Sequence, residues 1–206
     1  MRVVKLICAD LHIHTVFSPD ASIHPKTLVE QLIAHPYIKA VAITDHNTVR
    51  GYHKVVELAS AYQDVLIIPG IEVSTVEGDL LLLGVAEVPS QPWTVVDVID
   101  FAHERGGLAI AAHPYRAFGL GDLVKNYKID AVEILNGCCS RQLNVMAEEL
   151  AKAADLPGVA GSDAHRADEF WTVYNQIKAS TDLDEVLKAI ERGLVRVAYT
   201  EKSIHF

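Results

Sequence analysis

Asp10-Leu-His12-Ile-His14-Thr-Val-Phe-Ser18-Pro-Asp20 places two histidines one residue apart, directly after a short apolar run over residues 3–8. The same arrangement recurs along the chain. Asp45 and His46 follow the apolar run 40–43, and Glu72 follows 65–68 after Pro69-Gly70-Ile71. His113 follows 108–111, Asn136 follows 131–135, and Asp163 with His165 follow 159–160. Further strand candidates are 80–85 and 195–199.

Amphipathic stretches lie between these runs. Helices are expected over 25–34, opened by Pro25, and over 53–62, 93–105, 141–154 and 183–192, with Gly106-Gly107 and Gly193 as stops. Continuous apolar strands separated by helices are the pattern of a buried parallel sheet. The periodicity alone leaves an open doubly wound sheet and a closed or distorted barrel as alternatives. In either, all strand C-termini share one face, so residues scattered over the chain converge on one pocket. No repeat or composition break marks a linker, and 206 residues suit one domain.

Imidazoles and carboxylates so gathered would repel one another or stay poorly solvated unless cations held them. The mixture of nitrogen and oxygen ligands suits Zn²⁺, Mn²⁺ or Fe²⁺ better than Ca²⁺ or Mg²⁺. Taken singly, each motif has a bland reading: Asp45-His46-Asn47 as a turn and cap, His113-Pro114 as a strand end, Ser162-Asp163 as an N-cap. Only their joint placement at strand ends points to a site. His24, His35, His53, His103 and His205 fall on helix or terminal positions and read as ordinary histidines.

The formal net charge of −9 argues against an extended nucleic-acid surface, which needs clustered Lys and Arg. A small phosphorylated substrate stays compatible, because bound cations reverse the field of an acidic pocket. Three cysteines, with Cys138 and Cys139 adjacent, form no disulfide framework and suit a reducing cytosol. The N-terminal apolar run is too short for a signal sequence, and no stretch is long enough to span a membrane. A cytoplasmic protein is expected.

Residues 10–20, Thr44-Asp45-His46-Asn47-Thr48, Pro69-Gly70-Ile71-Glu72, His113-Pro114 and Gly161-Ser162-Asp163-Ala164-His165 together resemble the successive motifs of the polymerase-and-histidinol-phosphatase (PHP) superfamily. The resemblance implies a distorted (β/α)7 barrel, TIM-like, with metal ions at the strand C-termini. Carried over by position, it implies one ion on His12, His14, Glu72 and Asp163, and a second on Asp20, His46 and His165. A third would use Glu72, His113 and a further histidine, but Leu81 of Leu80-Leu81-Leu82-Leu83-Gly84 stands where that histidine belongs. Two tight divalent ions and a weak or absent third are therefore expected. Asp79, on the same strand face as Leu81, is the residue placed to compensate.

The activity so implied is metal-dependent hydrolysis of a small phosphoester: a sugar-alcohol-type monophosphate, a nucleotide or a short oligonucleotide end. The attacking group would be a hydroxide held between ions. Asp45, His113 or His165 would serve proton delivery, and Arg116 would grip phosphate oxygens, with Arg166 and Arg50 as second choices. Asn136 is a candidate orienting residue or a strand-end turn. The rival readings are a non-catalytic metal-binding PHP module and an amidohydrolase using the same cluster.

Overall fold

The computed structural model describes residues 5–200. The described strands and helices follow in the order β1 (Ile7–Ile13), α1 (Pro25–Ala34), β2 (Ile38–Ile43), α2 (Arg50–Ala59), β3 (Leu66–Ser74), β4 (Asp79–Leu83), α3 (Val95–Glu104), β5 (Leu108–Ala111), β6 (Ala131–Asn136), α4 (Arg141–Ala154), β7 (Gly158–Gly161), β8 (Val173–Ile177), α5 (Leu183–Glu191) and β9 (Val195–Tyr199). All nine strands lie in one sheet, ordered β7-β6-β5-β4-β3-β2-β1-β8-β9.

The sheet curls into a nearly closed barrel, as expected. Its seam joins β7 to β1: the Asp163 N–H donates to the His12 carbonyl at 2.8 Å, and His14 N–H to the Ala164 carbonyl at 3.0 Å. Lower down, the Asn175 side chain replaces ladder bonds. Its amide donates to the Ala9 and Ala160 carbonyls, and its oxygen accepts from Ala160 N–H. Gly161 permits this approach, since a Cβ there would stand 2.2 Å from the His12 Cβ.

Three expectations are corrected. The sheet is not all parallel: β4 runs antiparallel to both β3 and β5. Ser74 pairs with Asp79, and the short turn between them has no room for a crossover helix. β8, unexpected from sequence, is antiparallel to β1 and β9. It alternates buried Val173, Asn175 and Ile177 with half-buried Tyr174 and Gln176, so it lacks the continuous apolar run of the other strands. The expected first strand is also displaced, since β1 begins at Ile7 and carries His12 within it. Residues 3 and 4 and His205 lie outside the described residues.

The barrel interior is one apolar cluster drawing on every strand from β1 to β8, including Leu11, Ala42, Ile68, Leu81, Leu83, Ile110, Val159 and Ile177. Val186, Leu187 and Ile190 of α5 join it, so that helix closes the end remote from the polar residues. Each such buried Val, Leu or Ile side chain contributes roughly 1.5–3 kcal/mol relative to exposure. This packed floor is what holds the opposite mouth in one shape.

Candidate metal centre

Three backbone devices gather the polar residues at that mouth. The β1–β2 register shifts between Asp10 and Ile13, an irregularity of the kind that re-aims side chains. Residues after β2 pair with β3: Asn47 N–H donates to the Glu72 carbonyl and Glu72 N–H to that of Asp45, setting His46 beside Glu72. Asn47, His113 and Asp163 each hold positive φ (56°, 24° and 55°), a conformation non-glycine residues adopt mainly where surroundings enforce it.

The innermost group is His12, His14, Glu72 and Asp163, all buried. His12 Nε2 lies 3.0 Å from His14 Nε2, 3.4 Å from Glu72 Oε2 and 3.3 Å from Asp163 Oδ1. His14 Nε2 lies 3.2 Å from Glu72 Oε2 and 3.3 Å from Asp163 Oδ1. Beside it, Asp20 Oδ2 stands 3.4 Å from both His46 Nε2 and His165 Nε2. His46 Nδ1 reaches Glu72 Oε2 at 3.1 Å, linking the groups. Glu72 Oε1 turns the other way, to His113 Nε2 at 3.1 Å. These are the groupings the sequence motifs imply.

The other ring nitrogens explain why these histidines suit a cation. His12 Nδ1 faces Glu133 Oε1 at 2.9 Å, and His165 Nδ1 faces the Asp163 carbonyl at 2.8 Å, partners that can only accept. His14 Nδ1 faces the Ser18 hydroxyl, whose own proton goes to Asp45 Oδ1. Each Nδ1 is therefore placed to carry a proton, which leaves each Nε2 facing other ring nitrogens and carboxylate oxygens as the ligand atom. A cation there would replace the protons that these nitrogens and carboxylates otherwise share.

Electrostatics tell the same story. The Glu72 carboxyl is held well below the usual carboxylate range: burial opposes charging it, but His12, His113 and His14 outweigh that. Asp163 is likewise held low, by His12 and His14 against burial. His14 is pushed up to about 9, because Asp163 and Glu72 overcome the burial that disfavours its cation. Positive charge is what this pocket demands.

Other expected residues divide. Asp45 does not line the mouth. It is buried and accepts from Thr15 N–H, the Thr15 hydroxyl and the Ser18 hydroxyl at 2.6–2.8 Å, so it orders the loop carrying Ser18 rather than meeting a substrate. Asn136 donates to Glu133 Oε2 and to Asp163 Oδ2, an orienting role. Leu81 is buried in the apolar floor. Asp79 faces the mouth, its carboxyl pushed up to about 6 by burial and by the charge of Glu72. Burial lifts the Cys138 and Cys139 thiols to about 12 and 11.

Sequence reasoning missed Glu133, which is buried and bonds His12, the His113 N–H and Asn136 at once. The available signal was a lone charge within the apolar strand β6. Asp10 was passed over too; it lies buried under the seam and accepts from Ser162 N–H at 2.9 Å.

The mouth opens into a cavity of about 570 Å³ that includes Asp20, His46, Glu72, His113, Asp163 and His165 in its lining. Arg116 is the single Lys or Arg among the described lining residues. Its Nη1 bonds Asp163 Oδ2, the carboxylate oxygen turned away from His12 and His14, while its side chain stays partly exposed to the cavity. Arg50 instead lies over the Phe17 ring, and Arg166 pairs with Asp168 and Glu169 outside the cavity.

Known proteins share the sequence pattern and the fold. The sequence model of the PHP domain matches residues 10–201. The uncharacterised protein MJ1587 of Methanocaldococcus jannaschii is 35% identical over 140 residues, covering 62% of this chain and 81% of its own. A Bifidobacterium adolescentis protein with a proposed metal-dependent phosphoesterase activity superposes with a TM-score of 0.62 at 18% identity, over 76% of this chain and 87% of that one. An amidohydrolase of Chromobacterium violaceum, solved with sulfate and without metal, gives 0.63 at 17% identity, over 78% and 88%.

Proposed function

Because the chain belongs to the PHP domain family, we propose that it is a metal-dependent phosphoesterase acting on a small phosphorylated substrate. The observation that carries this reading is the pairing of a histidine–carboxylate cluster with one guanidinium, Arg116, which is braced by Asp163 and partly exposed to the same cavity.

His12, His14, Glu72 and Asp163 would hold one divalent ion, and Asp20, His46 and His165 a second, of Mn, Zn or Fe. When bound, such ions lower the pKa of water from about 16 towards 7 and neutralise charge on phosphoryl oxygens. The protein's residues do the rest. Arg116 presents donors of planar geometry to a phosphoryl oxygen, held in place by Asp163. Glu133, Ser18 and the Asp163 carbonyl fix the ring orientation of His12, His14 and His165. His113 lines the cavity with Nε2 directed at Glu72 Oε1, and there it holds the proton for the departing oxygen. Leu81 leaves the neighbourhood of His113 one ligand short, which keeps His113 available for that role.

Hydrolysis of a carbon–nitrogen bond is the second reading, since the same donors serve amidohydrolases. Arg116 favours the phosphoester. The test is phosphate release from a panel of phosphomonoesters by protein loaded with Mn²⁺ or Zn²⁺, beside a chelator-treated control. Metal-dependent release is expected. Bound metal with no phosphoester cleaved would favour the non-catalytic module, and cleavage of cyclic amides alone would favour the amidohydrolase.

A further inference from the structure

The loop between β1 and α1 holds more of the cluster than the one carboxylate it carries. Ser18 lies at its centre and is buried. A hydroxyl can donate one hydrogen bond and accept two, and that of Ser18 uses all three. Its Oγ lies 3.0 Å from His14 Nδ1, accepts from His46 N–H at 3.0 Å and donates to Asp45 Oδ1 at 2.8 Å. His14 belongs to the innermost group, and His46 to the outer group with Asp20 and His165. Four residues on, Ser22 N–H donates to the His165 carbonyl at 2.8 Å, and Asp20 lies between the two serines.

The surroundings leave this hydroxyl little freedom to change partners. Asp45, which takes the Ser18 proton, also accepts from Thr15 N–H at 2.6 Å and from the Thr15 hydroxyl at 2.7 Å. Ser18 N–H in turn donates to the Thr15 carbonyl at 2.8 Å. The first turn of α2 closes over this knot: a Cβ on Gly51 would overlap Asp45 Oδ2 and lie 2.6 Å from Thr15 Oγ1, so only glycine fits. The Arg50 guanidinium lies 4.8 Å from the Phe17 ring centroid and clasps the loop. Asp45 and Thr15 already close the loop between them. The two remaining bonds of Ser18 go to cluster histidines, one in each group.

We infer that Ser18 is a positioning residue shared by the two ion sites: one side chain that ligates neither ion sets the affinity of both. Toward the inner ion it acts on the His14 ring, engaging Nδ1 and leaving Nε2 turned to Glu72 and Asp163. Toward the outer ion it fixes the backbone of His46, whose Nε2 faces Asp20. The inference rests on the two-ion centre of the proposed function and is independent of which bond that centre cuts.

The experiment titrates Zn²⁺ into metal-stripped protein in competition with a chromogenic chelator, giving a dissociation constant for each ion, and follows phosphate release in parallel. Ser18→Ala should weaken both ions, each by about tenfold or more, whereas Glu133→Gln acts on the inner ion alone and Asp20→Asn on the outer alone. Ser18→Thr keeps the hydroxyl and should restore both constants. Asp45→Asn keeps the shape but offers the Ser18 proton a weaker acceptor, so it should weaken both ions by a smaller factor. It answers the same question if threonine is too large for the buried position. A merely structural part for Ser18 would lower the urea midpoint and leave both constants unmoved, which overturns the inference; so does a loss confined to one ion. Joint weakening in Ser18→Ala with no phosphoester cleaved by the wild type supports the shared residue and removes the phosphoesterase reading. No ion bound by the wild type overturns both.

Discussion

The inner and outer halves of the histidine cluster are built from the same residue types yet are not equivalent. His12, His14, Glu72 and Asp163 are buried, Glu133, Ser18 and Asn136 back them, and Arg116 braces Asp163 from the cavity side. Asp20, His46 and His165 face the cavity, with the Asp20 side chain 55% exposed. A ligand whose neighbours fix its rotamer and tautomer loses little entropy on binding a cation, whereas an exposed one competes with water. Under the proposed function the inner group would be the permanent centre, and the outer group would be where substrate oxygens enter.

That contrast is open to attack, most strongly at His14. His14→Ala should empty the inner group and reduce phosphate release to background, with the far-ultraviolet circular dichroism unchanged; full retention of metal would break the distinction. Next comes Glu133→Gln, which keeps the shape but weakens the acceptor behind His12. Metal affinity should fall by about 10–100-fold, measured by competition with a chromogenic chelator. Asp20→Asn should weaken only the outer ion, by about tenfold or less, because solvent can replace an exposed oxygen. Should Asp20→Asn cost more than Glu133→Gln, the inner and outer labels would have to be exchanged.

The smallest effect on metal is expected at the seam. Asn175→Ala leaves the Ala160 N–H and the Ala9 and Ala160 carbonyls without their partner, costing about 1–3 kcal/mol of stability. A shift of the denaturant midpoint would show it, while metal content per folded chain should hold.

Much of this was legible in the sequence, and the exceptions share a cause. Residues ending apolar strands announce themselves, so His12, His14, His46, Glu72, His113, Asp163 and His165 could be read together. Helices α1 and α4 match their expected bounds, because Pro25 and the Ser140 cap mark their starts. Long-range partners leave no such mark. Glu133 lies 121 residues from His12, and nothing local says that a carboxylate within β6 faces a histidine of β1. Asp45 misled because its neighbour His46 faces the cavity while its own carboxylate turns to Thr15 and Ser18. Strand direction was hidden too: the brevity of the link between Ser74 and Asp79 forces β4 to reverse, but an apolar run looks alike either way.

Metal content per chain tests the central claim most directly: reconstitution with excess Mn²⁺ or Zn²⁺, removal of free ion, and elemental analysis of the folded protein. Two ions are predicted, one lost in Asp20→Asn under dilution and both diminished in His14→Ala. Three would assign His113 and Asp79 to a further ion and take proton delivery away from His113. A value near zero would contradict the account, leaving a barrel whose histidines and carboxylates are held together by shared protons alone.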